Sequence, residues 1–457
     1  LFTFIVRSKR DADAVKAMVS RFYDGWGARV ATLHGARGAE AMLRELSGLV
    51  DSSGYYIVLL GREDAAAASH LEAELPANAA VHVVPKARVR NARLEQLYVE
   101  TLRARARLRL AASWGGEGYR LDWRGERLEG YEVDISFDNF IGVGSFARLV
   151  ERLAGGPVGD NPLVLRLHGG RHLVYNGPAP RAEVFIGDEG WAPRARLLGG
   201  EPRPARLEAT VEASRRALRE LVGAAKGFLR GLGEFDKVIV PWSGGKDSTA
   251  ALLLALETYG RSRVAAVYGD TGTEFPASRR YVEEVARKLG IELHVAYAGL
   301  DRELLSGREM PSHENRWCTG LKVAAIEEKI AELVEGRTLV LIGDRDAESP
   351  RRSDRPPVRE GPAGAVAAAP LKPWGGAHVQ AYILSRGVPL NPVYGIGFYR
   401  IGCYMCPALR NWEIYALTSD ARTYLELVGS RIFRRFMHRR LLRRPRAGER
   451  AAKDAGR

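Results

Sequence analysis

The hexapeptide Ser243-Gly244-Gly245-Lys246-Asp247-Ser248 concentrates more chemistry than any other stretch of the chain. It follows an apolar, strand-like run over 237–240 and precedes a helical pattern over 249–259. A strand that turns into a helix through glycines makes an anion site, because the helix start offers unpaired N–H groups and partial positive charge. Gly244 and Gly245 allow positive φ and close backbone approach to phosphate. Lys246 can neutralise phosphate charge, and Ser243 and Ser248 can donate hydroxyl hydrogen bonds. Asp247 is placed to cap the helix or to help hold Mg²⁺. The loop is not of the Walker type, which needs a glycine five residues before the Gly-Lys pair, here inside the strand. A tight turn with a chance lysine is the bland alternative, and the complete hexapeptide between strand and helix argues against it.

The second reactive set is the cysteines, Cys318, Cys403 and Cys406. An odd, small number is no disulfide framework. The Cys403-x-x-Cys406 spacing points to metal or redox chemistry in a reducing compartment. Four readings stand: a 4Fe–4S cluster with three cysteine ligands, a zinc site completed by His313, a redox dithiol at Cys403 and Cys406, or three buried, inert thiols. The cluster is favoured.

The elements that must position these groups read as an α/β chain. Residues 1–113 alternate strands, expected at 2–6, 29–33, 55–60 and 80–84, with helices at 11–23, 39–50 and 93–112. This α/β segment carries no catalytic motif. Residues 114–205 are richer in turns and read as a β-rich module, with strands at 131–135, 163–167 and 172–175. A long helix at 208–232 leads into a third segment, 206–430. Strands there, expected at 237–240, 263–268, 292–296 and 338–342, alternate with helices and predict a doubly wound parallel sheet.

With 457 residues, two or three domains are expected. The balance of 46% hydrophobic and 27% charged residues is that of a globular protein. No apolar run reaches the roughly 18 residues that span a bilayer, so no membrane partner and a cytoplasmic location are expected. The net charge is +14, and residues 431–457 hold eleven Lys/Arg against two Asp/Glu, a net +9 of it. Such a tail can bind RNA or be a solvated end.

Further motifs run in order through the third segment. Gly269-Asp270-Thr271-Gly272 leads to Glu274-Phe275-Pro276, with Tyr281 beyond. Arg316-Trp317-Cys318-Thr319 precedes Lys322-Val323, and Gly343-Asp344-Arg345 precedes Glu348-Ser349 and Arg351-Arg352. Pro373-Trp374, Asn391-Pro392 and Arg400-Ile401-Gly402-Cys403 close the set. Over about 236–412 this pattern resembles the phosphoadenosine phosphosulfate (PAPS) reductase family of the PP-loop ATP pyrophosphatase superfamily. The resemblance implies a doubly wound α/β fold with an adenine nucleotide, ATP or PAPS, at the carboxyl ends of the strands. It implies that residues 243–248 hold phosphate or sulfate, with Lys246 and Asp247 catalytic and Asp270 and Thr271 near the nucleotide. Arg345, Arg351 and Arg352 become anion clamps. Cys318 is brought near Cys403 and Cys406, as a metal ligand or catalytic thiol.

Two departures from the family bear on the reaction. Sulfonucleotide reductases usually carry a degraded loop, whereas this one is intact, as in members that split ATP between its α and β phosphates. Those reductases also carry a cysteine on the C-terminal tail, and none follows Cys406. The favoured expectation is ATP-dependent adenylation of a substrate in sulfur-transfer chemistry, RNA thiolation among the options, with a sulfur donor as second partner. The alternatives are reduction of PAPS or adenylyl sulfate to sulfite by a thiol reductant, and a non-enzymatic nucleotide-sensing or RNA-binding protein.

Overall fold

The computed structural model describes residues 1–188 and 190–442. The N-terminal segment opens with a parallel sheet in the order β2-β1-β3-β4, formed by Phe2–Val6 (β1), Arg29–Thr32 (β2), Tyr55–Leu60 (β3) and Ala79–Val83 (β4). β3 is buried along its whole length, as expected of a central parallel strand covered on both faces. Helix Leu94–Leu110 closes this layer, and one core cluster continues from its leucines into the sheet that carries the glycine loop. The helix Ala65–Glu74 is not evident in the sequence, because its alanine-rich start shows little apolar periodicity.

A short hairpin, Ser113–Trp114 (β5) with Tyr119–Arg120 (β6), leads to an antiparallel meander. Its strands are Asp138–Ile141 (β7), Leu163–Arg166 (β8), Arg171–Tyr175 (β9), Pro180–Phe185 (β10) and Arg194–Leu197 (β11), in the order β11-β10-β9-β8-β7. The first strand of this sheet lies at 138–141, later than the 131–135 expected, and helix Phe146–Ala154 interrupts the strands. β7 is an edge strand, and its outer backbone is covered. Ile141 donates its N–H to Gln380 Oε1 at 2.8 Å and accepts from Gln380 Nε2 at 2.9 Å. Gln380 belongs to helix Gly376–Ser385 of the third segment, so the exposed-edge problem is solved by docking two segments together.

The stretch expected as one helix is two, Leu207–Ala213 and Arg215–Arg230, broken at Ser214. The third sheet is made of Lys237–Pro241 (β12), Val264–Asp270 (β13), Glu292–Tyr297 (β14), Thr338–Leu341 (β15), Val358–Glu360 (β16) and Val366–Ala368 (β17). Its order is β14-β13-β12-β15-β17-β16, parallel except for the last strand. From β12 the chain winds first to β13 and β14 on one side, then to β15 and β17 on the other. This is the doubly wound fold, and its switch point lies at the carboxyl ends of β12 and β15, where ligands bind in open α/β sheets.

The C-terminal basic stretch begins as the helix Arg431–Leu442. Phe433 and Phe436 are buried in a core cluster with Trp412 and Tyr404 and are not available for base stacking. Its arginines are largely committed: Arg435 donates to Leu304 O, Arg439 to Met310 O and Arg434 to Val428 O. The rest of the basic stretch, 443–457, lies outside the described residues.

Candidate functional site

The loop after β12 is fixed from within. Gly244 has φ +72°, and a Cβ there would meet Val282 at 2.8 Å, so glycine is required. Ser243 and Ser248 oxygens face each other at 3.1 Å, and Ser248 Oγ also accepts the Ser243 N–H at 3.2 Å. Asn391 Nδ2 donates to Gly244 O, and the Lys246 N–H donates to the Tyr394 hydroxyl at 2.9 Å. Helix Lys246–Tyr259 therefore starts three residues earlier than expected, with Gly245 as its N-cap. Asp247 does not cap it.

Asp247 serves another purpose. Its carboxylate accepts from Arg345 Nε at 2.5 Å and from Lys246 Nζ at 2.9 Å. Arg345 is 3% exposed and its Nη1 also reaches Asp138 Oδ2 at 3.0 Å and Trp374 O at 3.2 Å. The result is an alternating buried chain of charges, Asp138, Arg345, Asp247, Lys246. Burial alone would raise the Asp247 carboxyl, but Arg345 and Lys246 outweigh it and hold it below the usual carboxylate range. Asp138 is likewise lowered against its burial by Arg345, Arg166 and Lys246. Arg345 is thus no free anion clamp; its fork is occupied by two carboxylates. Arg351 is exposed and does not line the cleft, whereas Arg352 does and pairs with Asp344 at 3.4 Å and with Glu348.

The loop opens into a cleft of about 660 Å³, within the range of small-molecule sites. One wall is the loop with Gly343 to Glu348 after β15; the other is Asp138, Phe140 and Arg166 from the antiparallel meander. Gly343 lies against the helix start so closely that a Cβ would meet the Asp247 carbonyl carbon at 2.7 Å. Asp138, Phe140, Arg166 and Tyr394 were not found from sequence: no motif surrounds them, and Asp138 meets Arg345 across 207 residues of chain.

The loop after β13 faces other partners. Asp270 is buried, accepts the Gly272 N–H at 2.8 Å and lies 3.5 Å from Arg279; neither it nor Thr271 lines the cleft. Thr271 donates to Glu274, and Glu274 pairs with Lys322 at 3.3 Å. Cys403 Sγ is 3.4 Å from Thr271 Oγ1 and 3.7 Å from Glu274 Oε1. Burial, then the Glu274 charge, pushes the Cys403 thiol up to about 12. Burial and the neighbouring Cys406 raise Cys318 as well. The three cysteines are close enough to influence one another, and Arg316, Arg400 and Ala408, all near them in sequence, line the cleft while the cysteines do not. Among the described residues no group of three or more His, Cys, Asp or Glu side chains is arranged to hold a metal ion, and His313 is exposed. Burial and the Glu274 charge disfavour the Cys403 thiolate that a metal would need, so this arrangement lends the cluster and zinc readings no support of its own.

The N-terminal segment also reaches the cleft wall. Arg105, 1% exposed, donates to Asp346 at 2.9 Å and to Ser353 O at 2.9 Å, and Lys372 lies 3.1 Å from Asp346. Tyr98 donates to Asp354 at 3.0 Å. Residues 344–354 are tied to the first segment by these bonds. Among the described residues no helix is long and apolar enough to cross a membrane.

Residues 237–409 match the family model of the phosphoadenosine phosphosulfate reductase domain. An uncharacterized protein of Methanocaldococcus jannaschii is 33% identical over 195 residues, 42% of this chain and 40% of that protein. An adenosine 5'-phosphosulfate reductase of Deinococcus radiodurans is 27% identical over 229 residues, 49% of this chain and 86% of that enzyme. The PAPS reductase structure from Candida auris, in complex with phosphate, aligns at 22% identity with a TM-score of 0.33, covering 42% of this chain and 97% of that one. The chain spans about two fifths of the length of the two Methanocaldococcus relatives it matches, 40% and 42%. The strand order, the switch-point cleft and the loop agree with that match: residues 237–409 carry a phosphoadenosine phosphosulfate reductase domain on an α/β fold of the PP-loop kind.

Proposed function

We propose that the cleft binds ATP with its phosphates on the 243–248 loop and cleaves it between the α and β phosphates, leaving an adenylated substrate. The observation that carries this reading is the intact loop, held open by Tyr394, Asn391 and the Ser243–Ser248 contact, with Lys246 set at the cleft by Asp247. An acceptor oxygen attacks the α phosphorus. The bond to the bridging oxygen breaks, and pyrophosphate leaves with the electron pair. The acceptor proton passes to solvent. Lys246 and the helix N-terminus stabilise the charge that develops on the phosphoryl oxygens. Mg²⁺ would arrive with the triphosphate and neutralise phosphate charge; the chain's own part is to keep Asp247 ionised and Lys246 in register. A sulfur donor could then displace AMP, and RNA as acceptor draws its support from the basic C-terminal stretch. The test is pyrophosphate release from ATP with candidate acceptors. If ATP stays intact while PAPS or adenylyl sulfate is consumed, the reading is wrong.

A second reading, reduction of a sulfonucleotide to sulfite, draws support from the relatives named adenosine 5'-phosphosulfate reductase. Cys318, two residues beyond the cleft-lining Arg316, would be its thiol. Sulfite formation with a thiol reductant, abolished by Cys318→Ser, would establish it. The raised Cys318 thiol weighs against it.

A further inference from the structure

Most charges that line the cleft are cancelled inside the protein. Lys246 and Arg345 are matched by Asp247 and Asp138, and Arg352 by Asp344 and Glu348. Arg166, Arg316 and Arg400 line the same cleft and form no ion pair among the described residues; Arg316 is exposed, whereas Arg166 and Arg400 are half-buried. Arg166 comes from β8 of the meander, outside the 237–409 family match, and donates to Ala347 O. Arg400 comes from the segment just before Cys403. Tyr399 lines the cleft with Arg166 and Arg400 and lies within the field of both. Tyr399 stacks on Phe140 with centroids 4.8 Å apart, giving this end of the cleft an aromatic floor. Arg410, the third cation near Tyr399, is paired with Asp188 at 2.9 Å. Glu413 is fully buried close by and feels Arg400 without making an ion pair with it.

We propose that Arg166 and Arg400 form a second anion site in the cleft, separate from the phosphate loop, which holds a carboxylate, phosphate or sulfate group of the acceptor substrate. Two unmatched guanidiniums in a concave, partly desolvated place favour an anion more than exposed ones do, and their planar forks suit oxyanions. The meander then acts as a specificity element of the active site: its Arg166 selects an anionic acceptor. The inference deepens the ATP reading and rests on it for the identity of the ligand on the loop.

The test titrates sulfate into the full chain by thermal shift, at ionic strength held constant with chloride. The titration is repeated with saturating α,β-methylene-ATP. Wild-type protein should bind sulfate in both conditions. Arg166→Ala and Arg400→Ala should each weaken the binding that persists beside the nucleotide by at least about tenfold, with analogue affinity changed less than about threefold. Lys246→Ala should do the reverse. Arg166→Gln serves if the alanine variant is poorly folded. Complete competition between sulfate and the analogue, or sulfate binding indifferent to Arg166 and Arg400, would overturn the second site. If the analogue fails to bind, the ATP reading falls, yet the sulfate response of the Arg166 and Lys246 variants still decides whether two sites exist.

Discussion

The glycine-loop end and the cysteine end of this domain are built on opposite electrostatic terms. At the loop, four buried or half-buried charges alternate in sign, and Asp247 stays ionised because Arg345 and Lys246 outweigh its desolvation. Around Cys403 the nearest strong charge is Glu274, of the same sign as a thiolate, and the thiol is pushed up to about 12. At one end the charges are matched within the protein. At the other, burial disfavours the thiolates of Cys403 and Cys318. The contrast teaches that electrostatic order needs partners: the loop draws on Asp138 from the meander and Arg345 from beyond β15, whereas at Cys403 Lys322 and Thr271 do not outweigh burial and Glu274.

The largest break in this comparison comes from Arg345→Ala. Removing the shared guanidinium leaves Asp138 and Asp247 buried without it, and the loss is expected to be about 3–5 kcal/mol in denaturant unfolding. The sign with pH follows from the lowered carboxyls. The stabilisation is present above the unfolded value of 3.8 and is lost on acidification below it, for Asp247 as pH falls toward about 2. The deficit of the variant should therefore be full at neutral pH and shrink on acidification below about pH 4. A deficit that grows toward acid would break the account of the charge chain.

Lys246→Ala acts on function more than on stability. Losing the cation at the loop should lower pyrophosphate release by about two to three orders of magnitude, with the melting temperature little changed. Asp138→Asn sharpens the point, since it keeps the shape and removes one charge. It should cost about 1–2 kcal/mol of stability and reduce turnover more than nucleotide affinity, because net positive charge at the cleft rises while Lys246 loses its register. Equal losses in both would mean that Asp138 serves packing alone.

The smallest effect belongs to the sulfur end. Cys403→Ser should alter nucleotide affinity by less than about twofold, since neither Cys403 nor its partner Thr271 lines the cleft. Alkylation of Cys403 at pH 8 should be slow compared with a free thiol, because the thiolate is scarce when the group titrates near 12. Fast alkylation would contradict the contrast between the two ends.

Much of the loop was legible in sequence because its signals are local. A strand, two glycines, a lysine and a helix occupy one continuous stretch, and the turn chemistry needs no distant partner to be recognised. The parallel sheet was legible for the same reason, from alternation along the chain. The role of Arg345 was not, since Asp138 lies 207 residues away, and neither was Arg105, whose partner Asp346 is 241 residues on. Ion pairs across segments leave no periodic trace. The cysteines show the reverse failure: Cys-x-x-Cys is a strong local signal, but burial and Glu274 set the thiol chemistry, and neither is written in the spacing. The first strand of the meander was placed early, at 131–135, because that stretch alternates too; the docking of Gln380 onto Ile141 selects 138–141 instead.

The most direct measurement is the fate of ATP in the full chain with an anionic acceptor pool, followed by pyrophosphate and AMP release. The account predicts pyrophosphate in step with adenylation, lost in Lys246→Ala and retained in Cys403→Ser. Intact ATP, with sulfite appearing from adenylyl sulfate or PAPS in a manner dependent on Cys318, would contradict it.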